Sequence, residues 1–347
     1  MSTVKLKDVA QALGVSVVTV SNALSGKKGV SSELREQVVA KAREMGYNVS
    51  RYTKKSAEET KIGVVVSRKY LEVGASFYWA MYQQVAYVAS KKNCFTMLAI
   101  LDSAVTSKSA LPAIVREESL AGMLVIGKIE RIQMEHLMSV TKVPVVLLDF
   151  HEYGLACDAV MSNNYMGMYR ATSYLLERGH DNIAFVGSRG ATDNIMERYF
   201  GFRKAMEEWN KPIRKEWVLE DRDIESGIMK VTLPDRIPTA FACNSDHAAS
   251  FVYDELLRRG YRVPEDVSLV AYDNYLFGHP LGKTITTYNV DMYGMAKAAI
   301  DILLKKQKNP DKRNGIQYID SHIVERESVK NLNAFGRLRK NTETRRI

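Results

Sequence analysis

Several polar residues in this chain have the types needed to grip a small hydroxylated molecule. Asp149 ends the apolar run Val145–Asp149, and Asp273 follows the run Val267–Tyr272. Asn244, Ser245 and Asp246 follow a third run, Thr239–Cys243, and Arg198 lies near the start of a helical pattern over Met196–Asn210. Carboxylates, an amide and a guanidinium supply the acceptors and forked donors that vicinal hydroxyls require. Phe77, Tyr78 and Trp79 add aromatic faces on which a sugar ring could stack. Structural alternatives compete for the same residues. Asp149 and Asp273 can cap strand ends, and Phe77 shares a helical stripe with Met81, Val85 and Val88 that is ordinary core patterning.

A second set of residues suits nucleic acid. Leu6, Val9, Ala10 and Leu13 make one apolar face of a short helix, and Gly14 can take the positive φ that ends it. Ser16 then caps a second helix whose inner face is Val20 and Leu24. Two short helices across a tight turn form a helix-turn-helix. Val17, Val18, Ser21 and Asn22 point away from the inner face, where such a helix reads base edges. Exposed valines suit thymine methyl groups, and Asn22 can pair bidentately with adenine. Ser16, Thr19 and Ser31 are better placed as phosphate contacts or helix caps than as base readers. A third helix follows, with Leu34, Val38, Ala42 and Met45 inward and Gly46 as its stop.

Catalytic and metal-binding classes lose their usual signatures. Cys94, Cys157 and Cys243 are isolated, and the six histidines are scattered, so no metal site, triad or cofactor is expected. There is no dinucleotide fingerprint after the first strand, no phosphate loop and no G-x-S-x-G elbow. The start is polar and no apolar run has the length of a membrane span. A cytoplasmic, non-enzymatic protein without membrane contact is the expectation.

Charge separates the chain into parts. The net charge is +9 at pH 7. Residues 1–61 hold 11 basic and 6 acidic side chains, residues 325–347 hold 7 and 3, and the middle balances to zero. A basic head on a neutral body directs phosphate binding to the head. From Ile62 onward, short apolar runs (Ile62–Val66, Phe95–Leu101, Gly122–Ile126, Ile183–Gly187) alternate with helical stretches such as Phe77–Lys92, Tyr165–Arg178 and Asp246–Arg259. Strand then helix at this spacing predicts parallel sheets with crossover helices, and the length suits two of them.

Lys7-Asp8-Val9-Ala10, Gly14-Val15-Ser16, Thr19-Val20-Ser21 and Gly46-Tyr47 together resemble the lac-repressor/galactose-repressor (LacI/GalR) family of bacterial transcription regulators. The body resembles that family's effector domain, itself similar to periplasmic sugar-binding proteins, at Asn164…Gly167…Ala171, Gly179-His180, Arg198…Gly201-Phe202, Pro238-Thr239-Ala240, Val263-Pro264…Val267-Ser268-Leu269, Asp273-Asn274 and Thr286-Thr287. The resemblance implies base readout by positions 17, 18 and 22, and effector roles for Phe77, Asp149, Arg198, Asp246 and Asp273. Many members carry Arg where this chain has Asn22, which implies a variant operator. The linker also departs from the pattern. Val49 stands where proline is usual, and Ser56 stands where a leucine would wedge the minor groove. Tyr52 then becomes the wedge, or the operator is bent less, with Arg51, Lys54 and Lys55 on phosphates. Arg222 is read either as a surface arginine or as a cation favouring an anionic effector.

The expectation is therefore a small all-α helix-turn-helix head plus an α/β body of two doubly wound parallel-sheet lobes, periplasmic-binding-protein-like, with three crossovers. Domains fall at 1–46 (DNA-binding head), 47–61 (hinge), 62–330 (effector-binding and dimerisation body) and 331–347 (basic tail, expected to be disordered). The helix near Met292–Lys306 and a strand Gln317–Val324 are expected to complete the first lobe. His180 reads as structural. The expected function is a transcriptional regulator, a repressor, binding a palindromic operator as a homodimer and switched by a sugar-like effector between the lobes. Alternatives are a sugar-binding or sugar-processing protein with a vestigial head, or a regulator using a purine or protein corepressor.

Overall fold

A computed structural model describes residues 4–25, 29–47, 49, 60–71, 77–102, 107–224, 226–276 and 278–333. It separates into two compact units, residues 1–60 and 61–347.

The first unit is a three-helix head. Helix α1 (Leu6–Leu13) buries Val9 and Ala10 and ends on Gly14 at φ 64°. Helix α2 (Val17–Leu24) starts on Ser16, whose hydroxyl accepts the Thr19 N–H at 3.0 Å. Its inner face is Val20, Ala23 and Leu24. Helix α3 (Ser32–Glu44) is capped by Ser31, which accepts the Leu34 N–H at 3.3 Å. The chain leaves α3 through Gly46 at φ 75°, with the Tyr47 N–H returning to the Ala42 carbonyl at 2.8 Å. Tyr47 and Val49 pack against the head's core, so the valine in place of proline is used as an apolar contact.

The second unit carries two sheets. The first-lobe strands are β1 (Thr60–Ser67), β2 (Cys94–Leu101), β3 (Gly122–Ile126), β4 (Val145–Leu148) and β5 (Asp158–Ser162), with helices α4 (Phe77–Lys91) and α5 (Arg131–Val140). The chain then enters the second lobe as α6 (Asn164–Glu177), β6 (Ile183–Val186), α7 (Asp193–Glu208), β7 (Val218–Leu219), β8 (Ala240–Cys243), α8 (Asp246–Arg258), β9 (Ser268–Asp273) and β10 (Thr286–Asn289). Helix α9 (Met292–Lys308) and β11 (Ile316–Ile319) return to the first lobe, and β12 (Ile323–Val324) ends in the second. The sheet orders are β11-β5-β4-β3-β1-β2 and β12-β10-β9-β8-β6-β7. The strands pair parallel from β1 to β11 in the first sheet and from β7 to β10 in the second, with β12 antiparallel on β10. Their central strands are buried on both faces, which accounts for the near-continuous apolar runs.

One expectation is corrected. The strand expected over Gln317–Val324 breaks at Asp320, so its two halves serve different lobes. Arg170 takes the Asp320 carboxylate at 2.8 and 3.1 Å and the Ser321 carbonyl at 2.6 Å. Those bonds turn the chain between sheets and make this segment the third crossover, after Ser162–Asn164 and Asn289–Met292. Among the described residues no helix is long and apolar enough to cross a membrane.

Candidate functional site

On the head, α2 presents Val17 and Val18 at 45% and 67% exposure while Val20 is fully buried. Ser21 and Asn22 are half-buried on the same flank. The side chains of Ser16 and Thr19 bond each other at 2.8 Å, so both are already engaged in the cap. Ser31 likewise caps α3. Arg51, Tyr52, Lys54 and Lys55 lie outside the described residues, as do Ser56 and the tail from 334.

In the body, the strand ends bring the other set together. Asp149 follows β4 at φ 65°, and Asp273 ends β9 at φ 114° with Asn274 next at φ 54°. Non-glycine residues in the left-handed region carry strain, which tends to be kept where a side chain must be aimed. Asp149 is almost fully buried. Its Oδ2 accepts from the Tyr78 hydroxyl at 3.1 Å and from the Asn194 amide at 3.2 Å. Its Oδ1 has no hydrogen-bond partner among the described residues. Burial pushes its carboxyl up to about 6, against the pull of Arg198 and these bonds.

Arg198 projects from α7 and is buried. Its Nε donates to Asn164 Oδ1 at 2.8 Å, and its Nη1 donates to the Asn244 carbonyl at 2.6 Å and to Asp273 Oδ1 at 3.4 Å. Burial raises the Asp273 carboxyl well above the carboxylate range, with Arg198 opposing. Asp246, at the first turn of α8, accepts from the Thr287 hydroxyl at 2.6 Å and the Tyr275 N–H at 2.7 Å. Burial lifts it to about 7. Ser245 is spent as the α8 cap, accepting the Ala248 N–H at 3.0 Å.

Arg222 is not a free surface charge. It lies bidentate on the fully buried Asp221 at 2.7 and 3.0 Å. Asp221 also accepts from the Ser188 N–H and the Asn244 amide at 2.9 and 2.7 Å. Its carboxyl is lowered: burial pushes it up, but Arg222 and these bonds outweigh that.

The aromatics divide. Tyr78 reaches Asp149 and packs on Tyr70 with centroids 4.4 Å apart. Phe77 meets Tyr275 of the second lobe edge-on at 6.3 Å, while Met81, Val85 and Val88 on the same helix are core. Trp79 instead faces Tyr82 at 5.4 Å, away from this group. His180 is buried with its ring 3.0 Å from the Lys330 carbonyl, a structural role. Sequence reasoning missed Tyr70, Asn194, Asp221 and Tyr275. Asn194 lies in the first turn of α7, ahead of Met196, where the helical pattern begins in the sequence.

The lobes already touch across this group. Asn194 of the second lobe holds Asp149 of the first, and Lys128 pairs with Asp193 at 3.1 Å. The arrangement brings together the carboxyls of Asp149, Asp246 and Asp273, the Arg198 guanidinium and the rings of Tyr70, Phe77, Tyr78 and Tyr275. Among the described residues no group of His, Cys, Asp or Glu is set to hold a metal.

Residues 5–50 match the lacI family of bacterial regulatory proteins, and residues 172–329 match a periplasmic binding protein-like domain. A relative from Vibrio cholerae serotype O1, the HTH-type transcriptional repressor PurR, is 27% identical over 335 residues, covering 94% of this chain and 98% of its own. The complex of the transcriptional regulator CelR with cellobiose has the same fold, with a TM-score of 0.66 at 22% identity over 94% of this chain and 99% of that one. The lac repressor dimer bound to operator and the anti-inducer ONPF does too, with a TM-score of 0.65 at 20% identity over 95% and 100%. A lacI-type head with outward-facing valines, joined to a two-lobed periplasmic-binding-protein-like body, places this chain in the LacI family of DNA-binding transcriptional regulators.

Proposed function

We propose that this protein is a repressor that binds a palindromic operator as a homodimer and is switched by a neutral, polyhydroxylated effector between the two lobes. The observation that carries the effector reading is Asp149: a buried carboxylate, strained at φ 65°, with one oxygen left without a donor among the described residues. An unpaired buried acceptor costs free energy, and a ligand hydroxyl removes that cost. Arg198, Asp273 and Tyr78 would supply the other polar contacts and Phe77 a ring face. Asp246 and Ser245, being satisfied internally, shape the floor. Arg222 is neutralised by Asp221, so the site favours a neutral ligand over a sugar acid or sugar phosphate. The cellobiose held by the CelR neighbour belongs to this chemical class.

On the head, Val17, Val18, Ser21 and Asn22 would face the bases, with Ser16, Thr19 and Ser31 near the phosphates. One such head is small, and a two-fold dimer doubles its contacts. Apolar side chains left exposed on both lobes, Phe95, Met97 and Ile100 on β2 and Phe251 and Leu257 on α8, suit pairing with a second copy. The remaining assignments stand as part of the same reading: a head to residue 46, a hinge to 61, a body to 330, a basic tail, and action in the cytoplasm.

The test is a thermal-shift screen of the full chain with free mono- and disaccharides, the matching sugar phosphates, and purine bases. A ligand at a hundredfold its Kd stabilises by about 2.7 kcal/mol. A shift from a free sugar, lost when it is phosphorylated, is the expected result. A shift from purines alone would replace the effector class proposed here.

A further inference from the structure

The Arg198 guanidinium lies over the ring of Tyr272, 3.8 Å from its centroid. Tyr272 is fully buried on β9, and its hydroxyl shares a 2.7 Å hydrogen bond with Ser162. Ser162 is the last residue of β5, where the chain leaves the first lobe. The same ring stacks on Tyr288, with centroids 4.9 Å apart and planes at 32°. Tyr288 is also fully buried, one residue from the end of β10 and so just ahead of the second crossover. Its hydroxyl donates to Asp320 Oδ1 at 2.9 Å and accepts the Ser321 N–H at 2.7 Å. Those two residues are the third crossover. One continuous set of contacts therefore runs from Arg198 through two buried rings to all three places where the chain passes between lobes, ending at the surface on Asp320 and Ser321.

The pair is held without slack. A Cβ on Gly167 of α6 would stand 2.6 Å from Tyr272 and 2.8 Å from Tyr288, so glycine there lets the helix press directly on both rings. Close-packed interiors do not absorb small displacements by compression, and the buried Tyr272–Ser162 bond, once broken, has no water at hand to replace it. A ligand that draws Arg198 off the Asn244 carbonyl or Asp273 would have to move the ring beneath it.

We infer that Tyr272 and Tyr288 are positioning residues that couple Arg198 to the interlobe hinge. A ligand on Arg198 is then felt at Ser162 through the Tyr272 hydroxyl and at Asp320–Ser321 through Tyr288. This rests on the reading of Arg198 as a ligand-binding residue. Two tyrosines that served only as core filler would stabilise the body without transmitting a change at Arg198 to the crossovers.

The test needs no effector, so it can fail independently of the effector reading. Hydrogen exchange is followed in the full chain for wild type, Arg198→Lys, Tyr288→Phe and the double variant. Arg198→Lys is expected to speed exchange in residues 319–323 about three- to tenfold, with β3 and β8 unchanged. Tyr288→Phe should speed the same segment, and the double variant should be no faster than Tyr288→Phe alone. Additive effects, or an Arg198→Lys effect that never reaches 319–323, would overturn the coupling. If Arg198→Lys unfolds the second lobe, seen as lost protection in β8, Tyr272→Phe replaces it. That variant keeps the ring under the guanidinium and removes only the Ser162 bond. It should speed exchange at both 162–164 and 319–323, and a rise confined to 162–164 overturns the proposal.

Discussion

The amide of Asn194 donates to both the carbonyl and the carboxylate of Asp149, at 3.0 and 3.2 Å. A residue from the second lobe thus holds Asp149 of the first, so in the effector reading proposed above the lobe contact and the orientation of Asp149 would change together.

Replacing Asp149 by Asn should abolish the sugar-induced thermal shift while leaving the unliganded midpoint within a few degrees. Asparagine keeps the shape and tolerates positive φ, but it gives up an anionic acceptor. Differential scanning calorimetry with and without the ligand found in the screen measures both. An undiminished ligand shift would remove Asp149 from the site.

Acid should stabilise the body relative to mild base. Asp149 and Asp246 are pushed up to about 6 and about 7 by burial, so the folded protein holds their protons more tightly than the unfolded chain does. Their contribution is fully present below the usual carboxylate value near 4 and is lost as pH rises through 6 and 7, on the order of 2–4 kcal/mol for each group as an upper bound. Asp158 and Asp221 are shifted down and act oppositely below that window; His180 and His247, lowered by burial, oppose within it, while Asp273, raised by burial, adds to Asp149 and Asp246. Urea titrations at pH 5 and pH 8 should show the higher midpoint at pH 5, and Asp246→Asn should flatten the difference. A higher midpoint at pH 8 would contradict the assignment.

On DNA, Asn22→Ala should relax base preference at one position in each half-site, worth about 1–3 kcal/mol of discrimination. Val17→Ser and Val18→Ser should weaken operators carrying thymine at the facing position more than others. Fluorescence anisotropy against single-base operator variants separates these effects. Unchanged preferences in Asn22→Ala would show that the half-buried amide does not read a base.

Gly201→Ala should be among the most damaging small changes in the body. An added Cβ would sit 2.1 Å from the Tyr165 carbonyl oxygen and 2.9 Å from the Tyr169 nitrogen, both backbone atoms of the neighbouring helix α6. Helices α6 and α7 would have to separate, costing about 1–3 kcal/mol or more. Equilibrium unfolding in urea checks this, and a loss below 0.5 kcal/mol, the size expected of an ordinary surface change, would mean the pair relaxes freely.

Much of the fold was legible because it follows from local rules. The positive φ at Gly14 and the cap at Ser16 are set by neighbours in sequence, and so is the head they delimit. Apolar runs such as Gly122–Ile126 mark central strands because both faces are buried. Strand β5 escaped because Asp158 and Ser162 break its apolar texture. Asp158 is instead satisfied by Lys306 and the backbone of Asn314 and Gly315, far away in sequence. The same limit governs the site. Asp149, Arg198 and Asp273 stood out by type and position. Asp221 did not, since its meaning comes from Arg222, Ser188 and Asn244 converging on it. Trp79 looked equivalent to Phe77 and Tyr78, yet one helical step of about 100° turns it away.

The break at Asp320 has a consequence for how the protein is made. Strands β11 and β12 close one edge of each sheet, and both come from the same short stretch near the end of the chain. While the ribosome is still reading the earlier residues, the outer strands β5 and β10 have open edges able to pair with other nascent chains. Both lobes are finished together, within a few residues of synthesis, so a chain interrupted before Ile316 would leave two unprotected edges rather than one completed lobe.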